Sequence, residues 1–221
     1  MGLNVLYEDN HLIVVEKPAG MLVQADKTGD PCLMDEVKKY LKEKYKKPGN
    51  VFLGLVHRLD RPVGGVVLFA KTSKGASRLS AQFRERSVEK DYFAVAVGKM
   101  EKQSGTIVSF IKKDEIKNTV EVFERETPAS KRAELSWEVI RTSEKNTLLK
   151  IKLGTGRAHQ IRAQLASIGH PILGDIKYGA SEPLPDKSIA LFAASLSFNL
   201  ATQDVTKTIE LPWPKEWEKY L

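Results

Sequence analysis

Between residues 88 and 153 the apolar side chains fall on alternate positions: Tyr92-Ala94-Ala96, Ile107-Ser109-Ile111, Val120-Val122, Leu135-Trp137-Val139 and Leu149-Ile151-Leu153. A period of two turns one side of each run toward a core and the other toward water, which commits this stretch to antiparallel sheet. On either side the pattern changes. Val5-Leu6-Tyr7 and Leu12 to Glu16 read as short strands around Glu8-Asp9-Asn10-His11, Val51 to Val56 and Val66 to Ala70 as two more, and Leu191 to Phe198 and Thr206 to Leu211 as returning strands. Leu33, Val37, Tyr40 and Leu41 recur at helical spacing before Pro48-Gly49-Asn50, and Ser73 to Arg86 reads as a second helix. Arg157 to Ile168 is the third, with Ile161, Leu165 and Ile168 as its buried stripe; at about 100° per residue, Arg162 lies beside that stripe and His159 one step further round. The sum is an α+β chain with a mixed, largely antiparallel central sheet and flanking helices, and residues 1–221 fit a single domain. The tail Pro212-Trp213-Pro214 with Trp217 is expected to cover an edge or cavity.

Lys and Arg number 35 against 28 Asp and Glu, a formal charge of +7, which suits a polyanionic partner. Lys38, Lys39, Lys42, Lys44, Lys46 and Lys47 crowd one helix, whose charged face reads either as a solvated exterior or as a contact for a polyanionic backbone. The single Cys32 excludes an internal disulfide and fits a reducing cytoplasm. No run approaches the ~20 apolar residues needed to span a bilayer, and the N-terminus lacks a basic start followed by a long apolar stretch. His57, His159 and His170 lie in separate segments without metal-ligand spacing, so no metal site is expected.

Chemistry concentrates in two places. His57-Arg58-Leu59-Asp60-Arg61-Pro62 sets one carboxylate among arginines at a stiff turn between two strands, where a loop presents side chains. A carboxylate beside guanidinium groups suits a nucleophile or base rather than an acid at neutral pH. The second is Leu153-Gly154-Thr155-Gly156-Arg157-Ala158-His159-Gln160-Ile161-Arg162, continuing to Gly169-His170-Pro171-Ile172-Leu173-Gly174-Asp175 and Tyr178-Gly179.

Together with Lys17-Pro18-Ala19-Gly20 and Lys90-Asp91-Tyr92-Phe93-Ala94, and in this order along residues 4 to about 179, these segments resemble the RluA-type family of RNA pseudouridine synthases. The resemblance implies a curved central sheet with an active-site cleft and isomerisation of uridine in tRNA or ribosomal RNA, and the chemistry requires neither cofactor nor metal. It assigns Asp60 as the catalytic carboxylate, Tyr92 as the ring that stacks on the uracil and relays a proton, and Arg162 as the cation paired with that carboxylate. Arg58, matching a position near the extruded base, is expected to fill the gap the base leaves. His57, Arg157 and His159 complete the expected substrate contacts.

Three departures stand out. Val63-Gly64-Gly65 replaces the family's usual Thr-Ser-Gly, Ala158 replaces a Thr, and Phe192-Ala193 stands where a His-Ala pair is common. An S4-type RNA-binding module is not expected before the catalytic segment, and recognition is expected from the cleft rim and the basic surface of a monomer without a protein partner. The altered loop motivates one alternative, a non-catalytic RNA-binding protein or RNA chaperone. A nucleosidase is the other, opposed by the lack of a second motif-borne carboxylate.

Overall fold

The computed structural model describes residues 2–221, which group into two compact units: residues up to Glu89 with Ser195–Leu211, and Lys90–Ala194 with Pro212–Leu221. In the first, β1 (Asn4–Glu8) runs antiparallel to β2 (Leu12–Lys17), and β2 to β4 (Gly64–Ala70). The turn between β1 and β2 is closed by Asp9, whose Oδ1 accepts the amides of His11 and Leu12, each at 2.7 Å. All seven residues of β4 are buried, as a strand covered on both faces must be. Two helices serve this unit, α1 (Leu33–Lys44) with Leu33, Val37 and Leu41 buried, and α2 (Ser73–Glu85), capped by Thr72 Oγ1 accepting the Gly75 amide. Leu79 of α2 joins Leu12, Val14, Val66 and Leu68 in one core with Leu196, Phe198 and Ile209. The last three come from the end of β10 (Leu191–Asn199) and from its antiparallel partner β11 (Thr206–Glu210).

The strand expected over Val51 to Val56 contracts to β3 (Gly54–Leu55), which pairs with Ala70 and Phe69 of β4. The ladder stops there because the next amide, Leu68 N–H, is taken by a side chain, His57 Nε2, at 2.9 Å.

In the second unit the alternating runs form the antiparallel ladders expected of them. β5 (Glu89–Val97) pairs with β9 (Asn146–Leu153), β9 with β8 (Lys131–Thr142), β8 with β6 (Ser104–Asp114), and β6 with β7 (Thr119–Phe123). Helix α3 (Gln160–Ser167) is anchored on this sheet by the buried Gln164, whose Nε2 donates to Ser109 Oγ at 2.9 Å and to the Ala133 carbonyl at 3.2 Å. It is shorter than expected. His159 has φ of 50°, outside the right-handed helical region, so the helix begins at Gln160; at the other end Ile168 is the cap and is 41% exposed, outside the stripe of Ile161 and Leu165. The tail buries Trp217 and is tied to the β8–β9 turn by Arg141 to Glu218 (2.7 Å) and by Asn146 Nδ2 to the Tyr220 carbonyl (3.0 Å). The molecule is thus a mixed α and β protein with largely antiparallel sheet and few helices.

A single carboxylate knots the first unit together. Glu8 accepts from Lys71 (2.5 Å), Lys44 (2.7 Å), Tyr45 Oη (2.6 Å) and Tyr40 Oη (3.2 Å), joining β1, α1 and the end of β4. Burial alone would raise its pKa, but the bonds from Lys44, Lys71 and Tyr45 bring it down to about 2 from 4.5. Its contribution is therefore complete above about pH 4.5 and is lost as the pH falls toward 2. Glu8→Gln should cost about 2 kcal/mol in urea unfolding at pH 7. The difference from wild type should shrink steadily below pH 4.5; an undiminished difference at pH 3 would contradict the assignment.

Candidate active site

The Asp60 loop of the first unit is held at both ends. Upstream, the His57 ring accepts the Leu68 amide and stacks on Phe83 of α2, centroids 4.9 Å apart and planes at 19°. Downstream, the Asp60 carbonyl closes a turn with the Val63 amide at 3.0 Å, and Val63 is buried. Between these anchors Asp60 is half-buried and Arg58 exposed. His57 is thus fixed to the scaffold by one ring nitrogen and one ring face.

A residue to which the sequence assigned no role completes the loop. Lys17 is fully buried, and its Nζ donates to three backbone carbonyls, Met21 (2.6 Å), Pro18 (3.1 Å) and Arg61 (3.1 Å). Arg61 carbonyl also accepts the Gly20 amide at 2.8 Å, while Arg61 Nε returns a bond to the Gly20 carbonyl at 3.0 Å. Gly20 has φ of 85°, the left-handed turn that glycine adopts without penalty. The Lys-Pro-Ala-Gly turn is therefore a clamp on the residue next to Asp60. Its outer side is closed by Arg61 Nη1 on Asp30 at 2.7 Å.

In the second unit the approach to α3 is organised by Gln160, also unassigned from sequence. Its Oε1 accepts from Thr155 Oγ1 (2.7 Å) and the Arg157 amide (3.0 Å), and its Nε2 donates to the Glu134 carbonyl (3.0 Å). Arg157 is half-buried on this turn. Arg162 is 5% exposed and forms a two-pronged bond with Asp175, Nε to Oδ2 at 2.7 Å and Nη2 to Oδ1 at 2.9 Å. The fork is the strongest geometry available to a guanidinium and a carboxylate. The Tyr178 ring lies 5.0 Å from the Arg162 guanidinium carbon, and Tyr178 Oη bonds His159 Nδ1 at 2.8 Å. Arg162 and His159, both expected at the site, are thus brought together by Tyr178. Tyr92 is half-buried on β5, in register with Ile151 of β9.

Burial pushes the Lys17 ammonium down to about 7, with the Asp60 charge pulling it up and that of Arg61 pushing it further down. An unfolded lysine titrates at 10.5, so between pH 7 and 10.5 the unfolded chain holds a proton that the folded one has released. This group therefore makes the fold more stable as the pH rises through that window. Lys17→Met strips donors from buried carbonyls and should destabilise the protein by about 1–3 kcal/mol at pH 7. The gap to wild type, read from urea midpoints at pH 7, 8.5 and 10, should widen with pH; a constant gap would show that Lys17 does not titrate there.

Comparison with known proteins identifies the family. Residues 11–167 match the family model for RNA pseudouridylate synthase. A ribosomal large subunit pseudouridine synthase C of Vibrio parahaemolyticus is 32% identical over 223 residues, covering 98% of this chain and 68% of the relative. A ribosomal large subunit pseudouridine synthase D of Nitrosomonas europaea is 35% identical over 191 residues, covering 86% of this chain and 53% of the relative. An uncharacterised RNA pseudouridine synthase of Bacillus subtilis is 32% identical, covering 97% of this chain and 70% of the relative. The solved structure of human RNA pseudouridylate synthase domain containing 4 superposes with a TM-score of 0.79 at 23% identity, over 97% of this chain and 90% of that one, which establishes the shared fold. The chain belongs to the RNA pseudouridylate synthase family, the isomerases that turn uridine in RNA into pseudouridine.

Proposed function

We propose that this protein isomerises uridine in structured RNA, with ribosomal RNA favoured over tRNA, and that Asp60 is its catalytic carboxylate. The observation that carries the assignment is the doubly anchored loop. A half-buried carboxylate sits between a backbone clamped by Lys17 and a histidine fixed to Leu68 and Phe83, so its position is set before substrate arrives. Such preorganisation is what a group attacking, or taking a proton from, one sugar requires. The preference for ribosomal RNA rests on relatives named as large-subunit pseudouridine synthases. The excess of positive charge suits any such polyanion.

The chemistry balances without a redox partner. The C1′–N1 bond breaks, the freed uracil turns, C5 bonds to C1′, C5 gives up its proton and N1 ends protonated. Asp60 either attacks C1′ or removes a sugar proton to give a glycal, and is regenerated in both cases. Tyr92 offers a π-face for the uracil and a phenol to relay the C5 proton. Arg162 supplies positive charge to offset the carboxylate, and Arg58, exposed on the same loop as Asp60, replaces the extruded base in its stack. Arg157 and His159 are assigned to substrate contact, and His57 to holding the Asp60 loop rather than to touching RNA. We take residues 1–221 to work as one catalytic domain in a monomer, and the single Cys32 suits a reducing cytoplasm.

Transcripts carrying 5-tritiated uridine test this directly. Wild type should release tritium, and Asp60→Ala should lower the rate by at least about 10³-fold while RNA affinity is kept. Tritium release indifferent to Asp60 would remove the carboxylate assignment, and free uracil among the products would point to a nucleosidase. Carbodiimide mapping of RNA from cells lacking the gene should show one or more sites lost, restored by wild type but not by Asp60→Ala. Loss confined to tRNA would overturn the preference for ribosomal RNA.

A further inference from the structure

The Gly-Asp-x-x-Tyr-Gly segment at 174–179 is built as a device with two working side chains. Residues Ile176–Tyr178 form a 3₁₀ turn, and the Asp175 carbonyl accepts the amides of Tyr178 (3.0 Å) and Ala180 (3.1 Å). Asp175 caps this turn and Tyr178 ends it. They meet one target. Asp175, 1% exposed, forks onto Nε and Nη2 of Arg162, while the Tyr178 ring packs 5.0 Å from the guanidinium carbon of the same residue. One contact lies along the edge of the guanidinium and the other involves its π system, which together restrict both translation and rotation of the group. Gly174 has φ of 86°, and a Cβ there would come within 2.7 Å of Leu184 Cγ and 3.0 Å of the Ser188 carbonyl, so the entry to the turn admits no side chain.

Tyr178 is itself held from outside the turn. Its Oη accepts the Val120 amide of β7 at 2.9 Å and bonds His159 Nδ1 at 2.8 Å. Lys177 Nζ adds a bond to the Asn118 carbonyl at 2.9 Å, so the turn is stitched to the β6–β7 hairpin at two points. The Tyr178 hydroxyl thus holds the His159 imidazole through Nδ1 while it is itself held by the Val120 amide.

We propose that Asp175 and Tyr178 are positioning residues of the isomerisation. Asp175 and the Tyr178 ring set the plane of the Arg162 guanidinium, and the Tyr178 hydroxyl sets the orientation of the His159 ring and couples both to the β6–β7 hairpin. This rests on the reading of Arg162 and His159 given above, and makes their geometry depend on two residues that need not touch RNA.

The test combines kinetics with a signal from Arg162 itself. Asp175→Asn, Tyr178→Leu and Tyr178→Phe are compared with wild type by tritium release and by ¹⁵N-edited NMR of the Arg162 Nε–H, assigned through Arg162→Lys. Tyr178→Leu should lower kcat by about 10–100-fold with KM within about threefold, as misplacement of a catalytic group does. Tyr178→Phe, which keeps the ring, should retain more activity than Tyr178→Leu, and Asp175→Asn should expose the Nε–H to fast solvent exchange. Should Asp175→Asn fail to fold, Tyr178→Leu carries the kinetic test and the Arg162 signal. Wild-type kcat in a folded Tyr178→Leu, or a loss confined to KM, overturns the proposal. If wild type itself releases no tritium from any RNA, the enzymatic reading has failed separately, and the positioning claim falls as well if the Arg162 Nε–H is equally protected in all variants.

Discussion

Burying the amine of Lys17 completely is expensive, and only the three carbonyls gathered around it make the burial tolerable. The requirement runs in both directions. The carbonyls of Pro18, Met21 and Arg61 converge because a donor with several hydrogens is available at their centre, and the lysine is tolerated at the end of β2 because they converge. Since one of them belongs to the residue after Asp60, the cost of desolvating a charge on one segment is converted into a fixed backbone on another. Much of the first unit follows from this. β2 has to end where the clamp begins, the turn after it needs a left-handed glycine, and the Asp60 loop has to return to β4 at Val63 and Gly64 with little slack.

The second unit solves the corresponding problem with side-chain amides. Gln160 ties Thr155, Arg157 and the Glu134 carbonyl into the approach to α3, and Gln164 seats the helix against Ser109 and Ala133. Amides serve here because each carries donors and acceptors without the desolvation cost of a charge. The charge admitted to the interior on this side, Arg162, arrives with its own carboxylate, Asp175. A buried cation with a forked partner on a rigid turn is a fixed source of field, whereas the same cation facing water would be screened.

Much of this was legible in the sequence, for reasons that differ by element. The ladders of the second unit were readable because half-buried antiparallel strands alternate, and Tyr92-Ala94-Ala96 or Leu149-Ile151-Leu153 show it. The Asp60 loop and the Arg157 to Arg162 segment were readable as motifs. What escaped was set by partners remote in sequence. Val51 to Val56 has strand composition, but His57 occupies the Leu68 amide and ends the ladder. Ile168 keeps helical phase with Leu165, but the backbone leaves the helix there. Lys17 and Asp175 lay in plain view within motifs; their roles depend on bonds to Arg61 and Arg162, 44 and 13 residues away. The one local clue was the pair of glycines, Gly174 and Gly179, that brackets Asp175 and Tyr178, the signature of a short turn.

These anchors also bear on the departure at Val63-Gly64-Gly65. Two hydroxyls usual in the family are missing from the loop that carries Asp60, and with them the hydrogen bonds they would make there. What stands in their place is burial: Val63 is 2% exposed, its amide closes the turn onto the Asp60 carbonyl, and Gly64 and Gly65 enter a strand buried throughout its length. Gly65 has φ of 122°, so a residue with a side chain would be strained at that point. Rigidity that hydroxyl bonds would provide locally is supplied by apolar packing below the loop, by Lys17 on one side and by His57 on the other. A loop held in this way does not need the hydroxyls to keep its carboxylate in place, so their absence no longer argues for a binding protein without catalysis.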